Sequence, residues 1–464
     1  MSIVTWSHIW YRSQKWESKE PAVTAKPLTT SARLSDEAVI PLSTLDPAAP
    51  LDDLEWLDLA IGDARVVAIG ESAHYNREFY DLRHRLLRYL VERHGFSAYA
   101  TESGFVEGRL PDTWVRGGEE QLGHVMANGM TSLMGLWKQM RAHLEWMRRH
   151  NRTTAHPVGF YGIDMPGSMV SLLPGLDAVI AYLAQADPGF QADPHIRETA
   201  AAFAATSAFS APAAFSAYGQ LAPATRDALT AGLADLRARM TARRLDYLRG
   251  TAADAYERAL RSLSITITLD AMLRELARGD QHGMMLDREA TIADTVEWIL
   301  GREGRIVLAA HNGHVQRWPS AVPGVSPSTS MGMHLADRLG EDYLVIGTTS
   351  ASGQTLNTSP DFYAGTLFTE LEGAPQPGSL DALMAACHDG LFATDLRRLS
   401  PADAAAVRAV SRQRHGTYYS GVSPMDAYDI VVHLPRVTPA EPDEAALAHA
   451  PHEVQAAFSR WKPE

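Results

Sequence analysis

Several absences narrow this chain before any motif is considered. Its 464 residues include one cysteine, Cys387, so neither an intrachain disulfide nor a cysteine zinc cluster can form. That usage fits a reducing compartment, and a cytoplasmic location is the expectation. No run approaches the roughly 20 consecutive apolar residues that span a bilayer. The first residues, with Trp6, Trp10, Arg12, Lys15 and Trp16, lack the apolar stretch and small-residue cleavage pattern of a secretory signal. Basic residues are outnumbered, 42 Lys and Arg against 55 Asp and Glu, for a formal charge of −13. Phosphate neutralisation needs clustered Lys and Arg, so neither a nucleic-acid nor a membrane partner is expected. There is no G-x-S-x-G elbow, no P-loop and no G-x-G-x-x-G after a strand. H-E-x-x-H and other tight ligand signatures are also missing, so no metal and no cofactor are expected.

The hydrophobic fraction of 45% is that of a globular protein, and the length suits one large domain with insertions or two to three ordinary ones. Five short apolar runs each stop at residues capable of proton or hydrogen-bond chemistry. Arg65–Gly70 stops at Glu71-Ser72-Ala73-His74, Phe96–Ala100 at Thr101-Glu102-Ser103, and Val158–Ile163 at Asp164. Ile306–Ala310 stops at His311-Asn312-Gly313-His314, and Tyr343–Gly347 at Thr348-Thr349-Ser350. In an open parallel α/β sheet, ligands bind beyond the carboxyl ends of the strands. Neighbouring strands of this kind would gather two glutamates, an aspartate and several histidines at one edge, which points to an acid/base enzyme.

Between the first two runs, Phe79, Leu82, Leu86, Tyr89 and Leu90 recur at intervals of three and four, predicting a helix over 77–93 that Gly95 stops. Strand–helix alternation through about residue 164 argues for a layered α/β fold. Strand signals then fade from about 168 to 300. Alanine becomes abundant, helices are predicted near 251–278 and 286–301, and Pro188, Pro194, Pro212 and Pro223 divide the rest. This segment reads as a helical insertion covering the carboxyl edge of the strands. The division expected is an arm over 1–45, core over 46–167 and 301–440, the insertion over 168–300, and a tail over 441–464.

Glu71-x-x-His74 suits a carboxylate that fixes one imidazole nitrogen and leaves the other basic; the alternative is a helix-capping glutamate beside a loop histidine. In His311-Asn312-Gly313-His314, glycine permits a tight turn that directs both histidines into one cleft. Glu102 suits a base, a metal ligand or an arginine partner. Arg83 suits a carboxylate or substrate clamp or a solvated surface position, and Asp164 a substrate contact or a cap. Cys387, in an Ala-rich stretch, reads as a core residue.

These motifs resemble the erythromycin esterase family: Gly70-Glu71-Ser72-Ala73-His74, Phe79-Tyr80-Asp81-Leu82-Arg83, Glu102, Ala310-His311-Asn312-Gly313-His314 and Tyr428-Asp429-Ile430-Val431-Val432. The resemblance spans about residues 50–440. It implies a mixed, largely parallel central sheet flanked by helices, with a helical region over the cleft. It implies a metal-independent hydrolase that opens an ester or lactone of a macrolide or polyketide, a large hydrophobic small molecule. His74 would be the general base, with Glu71, Glu102, His311 and His314 catalytic and Arg83 binding substrate; Asp164 is expected to bind substrate from its strand-end position alone. Macrolide esterases more often place threonine and glycine around the first histidine. Here Ala73 and Tyr75 flank it, and Tyr75 is expected to narrow the cleft mouth and touch substrate. The competing readings are a cyclase, lyase or isomerase using the same acid/base cluster, a metal-dependent hydrolase, and a non-catalytic small-molecule binder.

Overall fold

A run of apolar residues without alternation marks a strand covered on both faces, and Val66–Glu71 and Ile306–His311 are buried at every position. The computed structural model describes residues 33–461; the tryptophans of the expected arm lie outside the described residues. Strands are β1 (Ile40–Pro41), β2 (Val66–Glu71), β3 (Ala98–Gly104), β4 (Gly159–Asp164), β5 (Ile306–His311), β6 (Tyr343–Leu356), β7 (Phe368–Glu370), β8 (Phe392–Asp395), β9 (Arg412–His415), β10 (Tyr418–Gly421) and β11 (Ile430–Val437). The helices that matter below are α1 (Arg77–His94), α2 (Leu173–Ala186), α3 (Ala253–Ala277), α4 (Gln281–Glu303) and α5 (Asn312–Val315). Among the described residues no helix is long and apolar enough to cross a membrane.

The chain divides into two units. The sheet unit comprises the residues up to Tyr99, Gly304–Glu441 and those from Ala457 on. Its strand order is β1-β8-β11-β6-β2-β5. β11, β6, β2 and β5 run parallel, while β8 is antiparallel to both β1 and β11. The sheet is therefore mixed and largely parallel, with helices such as α1 against it. In the β2–β5 register Glu71 sits directly beside His311, so the ends of two apolar runs become chemical neighbours. α1 ends as expected at Gly95, which adopts φ 67° and closes the helix onto Leu90. Its burial exceeds the predicted stripe: Arg83 and Arg85 are as enclosed as Leu82 and Leu86.

Two strands run further than their apolar cores. β6 continues to Leu356, so Thr348-Thr349-Ser350 lie within it and do not end it. Pairing explains this, because β11 follows β6 as far as Val437 opposite Gly353 and β7 joins at Gln354–Leu356. Gly353 has φ 111°, and a Cβ there would meet the Val437 carbonyl oxygen at 1.8 Å. β3 likewise extends to Gly104, which places Glu102 inside the strand.

The helical unit comprises Ala100–Glu303 and Pro442–Ala456. It holds β3 from Ala100 onward with its neighbour β4 and most of the alanine-rich helices. The predicted helices at 251–278 and 286–301 are α3 and α4. Pro194, Pro212 and Pro223 fall in the first turns of Pro194–Ala201, Ala211–Gln220 and Pro223–Ala242. There proline costs no helical hydrogen bond and its fixed φ favours initiation, so these prolines divide the segment by starting helices.

Candidate active site

In the sheet unit the turn after β2 is built from the residues its sequence exposes. Gly70 is required for a steric reason: a Cβ there would lie 2.1 Å from Asn312 Oδ1. The Asn312 amide donates to the Thr348 carbonyl at 2.8 Å and accepts from the Thr348 N–H at 3.2 Å, tying the end of β5 to β6. Glu71, held in the β2 ladder, receives the His74 ring: Oε1 lies 2.6 Å from Nδ1. Its other oxygen lies 3.1 Å from Arg83 Nη1, and the Arg83 guanidinium stacks on the Tyr80 ring at 4.6 Å. Glu71, His74 and Arg83 are all at most 3% exposed. A buried carboxylate needs such pairing; Arg83 supplies it to Glu71, and its burial overturns the surface-arginine alternative.

Tyr75 follows with φ 64°, a left-handed backbone for a non-glycine residue. Its carbonyl accepts from the Ala440 N–H at 2.8 Å, and its ring packs 5.6 Å from His74. Tyr75 is thus a buried wall behind the histidine.

The β5 turn brings His311 to the same place, with its ring centroid 5.3 Å from that of His74. The Gly313 N–H donates to His311 Nδ1 at 3.1 Å, which puts the proton of neutral His311 on Nε2, 3.3 Å from the Ser72 carbonyl. His314, on α5, is buried with its ring 6.5 Å from that of His311.

Sequence reasoning missed a fourth histidine. His415 ends β9, its ring centroid 5.1 Å from that of His311 and 5.9 Å from that of Tyr418 on β10. The β9–β10 hairpin is pinned to the first motif by Gly416 N–H donating to the Ser72 carbonyl at 2.8 Å. Burial pushes the His415 imidazole down to about 4, so it stays neutral. A sequence signal did exist in Gly416-Thr417, a two-residue Gly-X turn of hairpin type, but nothing local links it to residues 71–74. His74, His311, His415, Ser72 and Tyr418 line a cavity of about 20 Å³, a volume sufficient for one water molecule.

In the helical unit, Glu102 and Asp164 converge on Arg288. Arg288 reaches both Asp164 oxygens, Nε–Oδ1 at 3.1 Å and Nη2–Oδ2 at 2.6 Å, and Glu102 Oε1 at 3.3 Å. Burial opposes the charge on Arg288, but Asp164 and then Glu102 outweigh it and hold the guanidinium protonated. Arg288 was also missed, although it shares a helical face with Ile292, Val296 and Ile299 of α4, all buried; an arginine on an apolar stripe is the readable sign. Among the described residues, no three or more His, Cys, Asp and Glu are grouped to hold a metal ion.

The family model described as erythromycin esterase matches residues 91–437, well over half of the chain. The chain belongs to the erythromycin esterase family. It is 30% identical over 332 residues to an erythromycin esterase type II from Escherichia coli, covering 69% of this chain and 77% of that one. It is 25% identical over 301 residues to an erythromycin esterase type I from Escherichia coli, covering 62% and 71%. A solved structure of a mutant of the erythromycin esterase EreC in its open conformation superposes with TM-score 0.70 at 21% identity, over 85% of this chain and 97% of that one. That likeness concerns the fold. Within the family frame, the matched span includes Glu102, His311 and His314 and begins after Glu71, His74 and Arg83. For those three, the distances above carry the placement.

Proposed function

We propose that this member of the erythromycin esterase family hydrolyses an ester or lactone of a large, largely apolar small molecule of macrolide or polyketide type, with His74 as the general base. The observation that supports this most is the Glu71–His74 contact of 2.6 Å, with Arg83 on the second carboxylate oxygen. Glu71 accepts from Nδ1–H and so leaves the lone pair of neutral His74 on Nε2, the nitrogen that takes a proton from water as it attacks the ester carbonyl. Glu71 then steadies the imidazolium that forms. Arg83 keeps Glu71 oriented and compensates its charge. The small cavity lined also by His311 and His415 suits one attacking water, and the neutral His415 imidazole supplies a hydrogen-bonding group without a competing positive charge. In the helical unit Glu102, which the family resemblance marks as a site residue, is held by Arg288.

The test is incubation of the purified chain with a panel of macrolactones and linear esters, followed by mass spectrometry. Hydrolysis predicts a single product heavier by one water from a macrolactone, and from a linear ester an acid and an alcohol whose masses together equal the ester plus one water, formed at a rate that His74→Ala lowers at least about a hundredfold. An isomeric product of unchanged mass, or loss of water, would replace hydrolysis with cyclisation or elimination on the same residues. Wild-type rates in the His74 variant would remove His74 from the reaction.

A further inference from the structure

The helical unit contains a second cavity, of about 190 Å³, unrelated to the histidines. Glu107, Thr131, Ser132, Ser168 and Ser171 form much of its polar lining, and Leu133, Leu136 and Val454 contribute apolar wall. Among the described lining residues Glu107 is the one that ionises.

Glu107 Oε1 accepts from the Gly167 N–H at 2.8 Å. Oε2 is enclosed and has no hydrogen-bond partner among the described residues. Gly104 makes room for it, since a Cβ there would stand 2.3 Å from Oε2. A buried acceptor left unmatched inside the protein is costly and points to a partner that arrives from outside.

The two loops bordering the cavity are unusual in a second way. Ser132 and Leu133 are consecutive left-handed residues, φ 54° and 65°, and so are Ser168 and Met169, φ 51° and 68°. The Ser132 N–H donates to Ser168 Oγ at 3.2 Å, locking one strained pair to the other. Strained non-glycine backbone persists where surrounding structure holds a ligand-facing surface in shape.

We propose that this cavity binds a small organic ammonium ion, a protonated amine on a compact apolar body. The ammonium would donate to Glu107 Oε2 and to the surrounding hydroxyls, and the alkyl body would lie on the Leu133, Leu136 and Val454 wall. A neutral alcohol of the same shape would leave the carboxylate charge uncompensated and bind less well.

Burial is the main reason the Glu107 carboxyl is pushed up to about 7; the Gly167 N–H opposes the shift, and the nearby Asp164 carboxylate, itself paired with Arg288, adds to it. An arriving cation therefore meets an ionised group above pH 7, whereas below it binding must first expel a proton. Affinity should fall roughly tenfold per pH unit below that point.

The inference is independent of ester hydrolysis. Its test is calorimetric titration of the full chain with cyclohexylammonium and, separately, with cyclohexanol at pH 8, repeated at pH 5.5 and with Glu107→Gln. The expected result is binding of the amine at least tenfold tighter than the alcohol, weakening at pH 5.5, and lost in the variant. A crystal soaked with the amine should place its nitrogen against Glu107, a readout that needs no variant. Equal binding of amine and alcohol, no binding of either, unchanged affinity in a folded Glu107→Gln protein, or density elsewhere would overturn the proposal.

Discussion

The two units handle buried polar groups in opposite ways. In the sheet unit, Glu71 contacts both His74 and Arg83, His311 Nδ1 accepts from the Gly313 N–H, and burial holds His415 as a neutral ring. In the helical unit, one arginine gathers two carboxylates, and a third carboxyl, Glu107, is left without a cation among its lining neighbours. In the sheet unit one carboxylate divides its two oxygens between an imidazole and a guanidinium. In the helical unit burial opposes ionisation of Asp164, but the guanidinium it shares with Glu102 outweighs that and holds the Asp164 carboxyl below its usual range. The difference teaches that buried charge in this protein is compensated both by one anion with two partners and by one cation with two carboxylates.

The comparison breaks most visibly through activity. His74→Ala should lose about 10²–10⁴-fold in turnover with its circular dichroism unchanged, whereas Glu71→Gln should also lose turnover but keep substrate affinity. Comparable rates for wild type and His74→Ala would abolish the distinction between a reacting and a charge-fixing unit.

Stability sharpens it next. Arg288→Met leaves two enclosed carboxylates without their cation and should cost about 3–5 kcal/mol in chemical denaturation. Arg83→Met leaves one and should cost less. Equal losses would show that Asp164 and Glu102 do not share Arg288 energetically.

The pH dependence of stability should then differ in sign between the units. His415 titrates near 4 when folded and near 6.5 when unfolded, so the unfolded chain binds the extra proton first. Stability is full above about pH 6.5 and is lost as pH falls toward 4, by an amount on the order of 3 kcal/mol. His415→Gln should flatten that slope, and an unchanged slope would show that the ring is solvated.

An effect of similar size runs the other way. Glu107 titrates near 7 when folded against 4.5 when free, so the folded chain keeps its proton longer. Stability is then lost as pH rises from about 4.5 to 7, and Glu107→Gln should recover on the order of 3 kcal/mol at pH 8 and nothing at pH 4. A variant no more stable at pH 8 would place the carboxyl in water.

What was legible in the sequence follows from range. β2, β5 and the stop at Gly95 are local patterns, three to eight residues long, and they appear where the residues predict. The two helices near 251–278 and 286–301 were readable for the same reason. β6 was read nine residues short because its extension depends on β7 and β11, neither of which leaves a mark on Thr348–Leu356. Arg83 was ambiguous between surface and site because an amphipathic pattern reports one buried face, and α1 is covered on more than one.

The sequence by itself determined the layered α/β class, the motif residues Glu71, His74, Glu102, His311 and His314, and through them the family. These rest on residue type and short spacing, which folding cannot alter. Tertiary structure alone decided that Glu71 stands beside His311, that Arg83 serves Glu71, that Arg288 joins Asp164 to Glu102, and that His415 enters the histidine cluster. Each of these pairs residues 12 to 341 positions apart. Such meetings are set by strand register and helix packing, by the one hydrogen-bonding arrangement that leaves buried charge compensated, and by nothing written beside either residue.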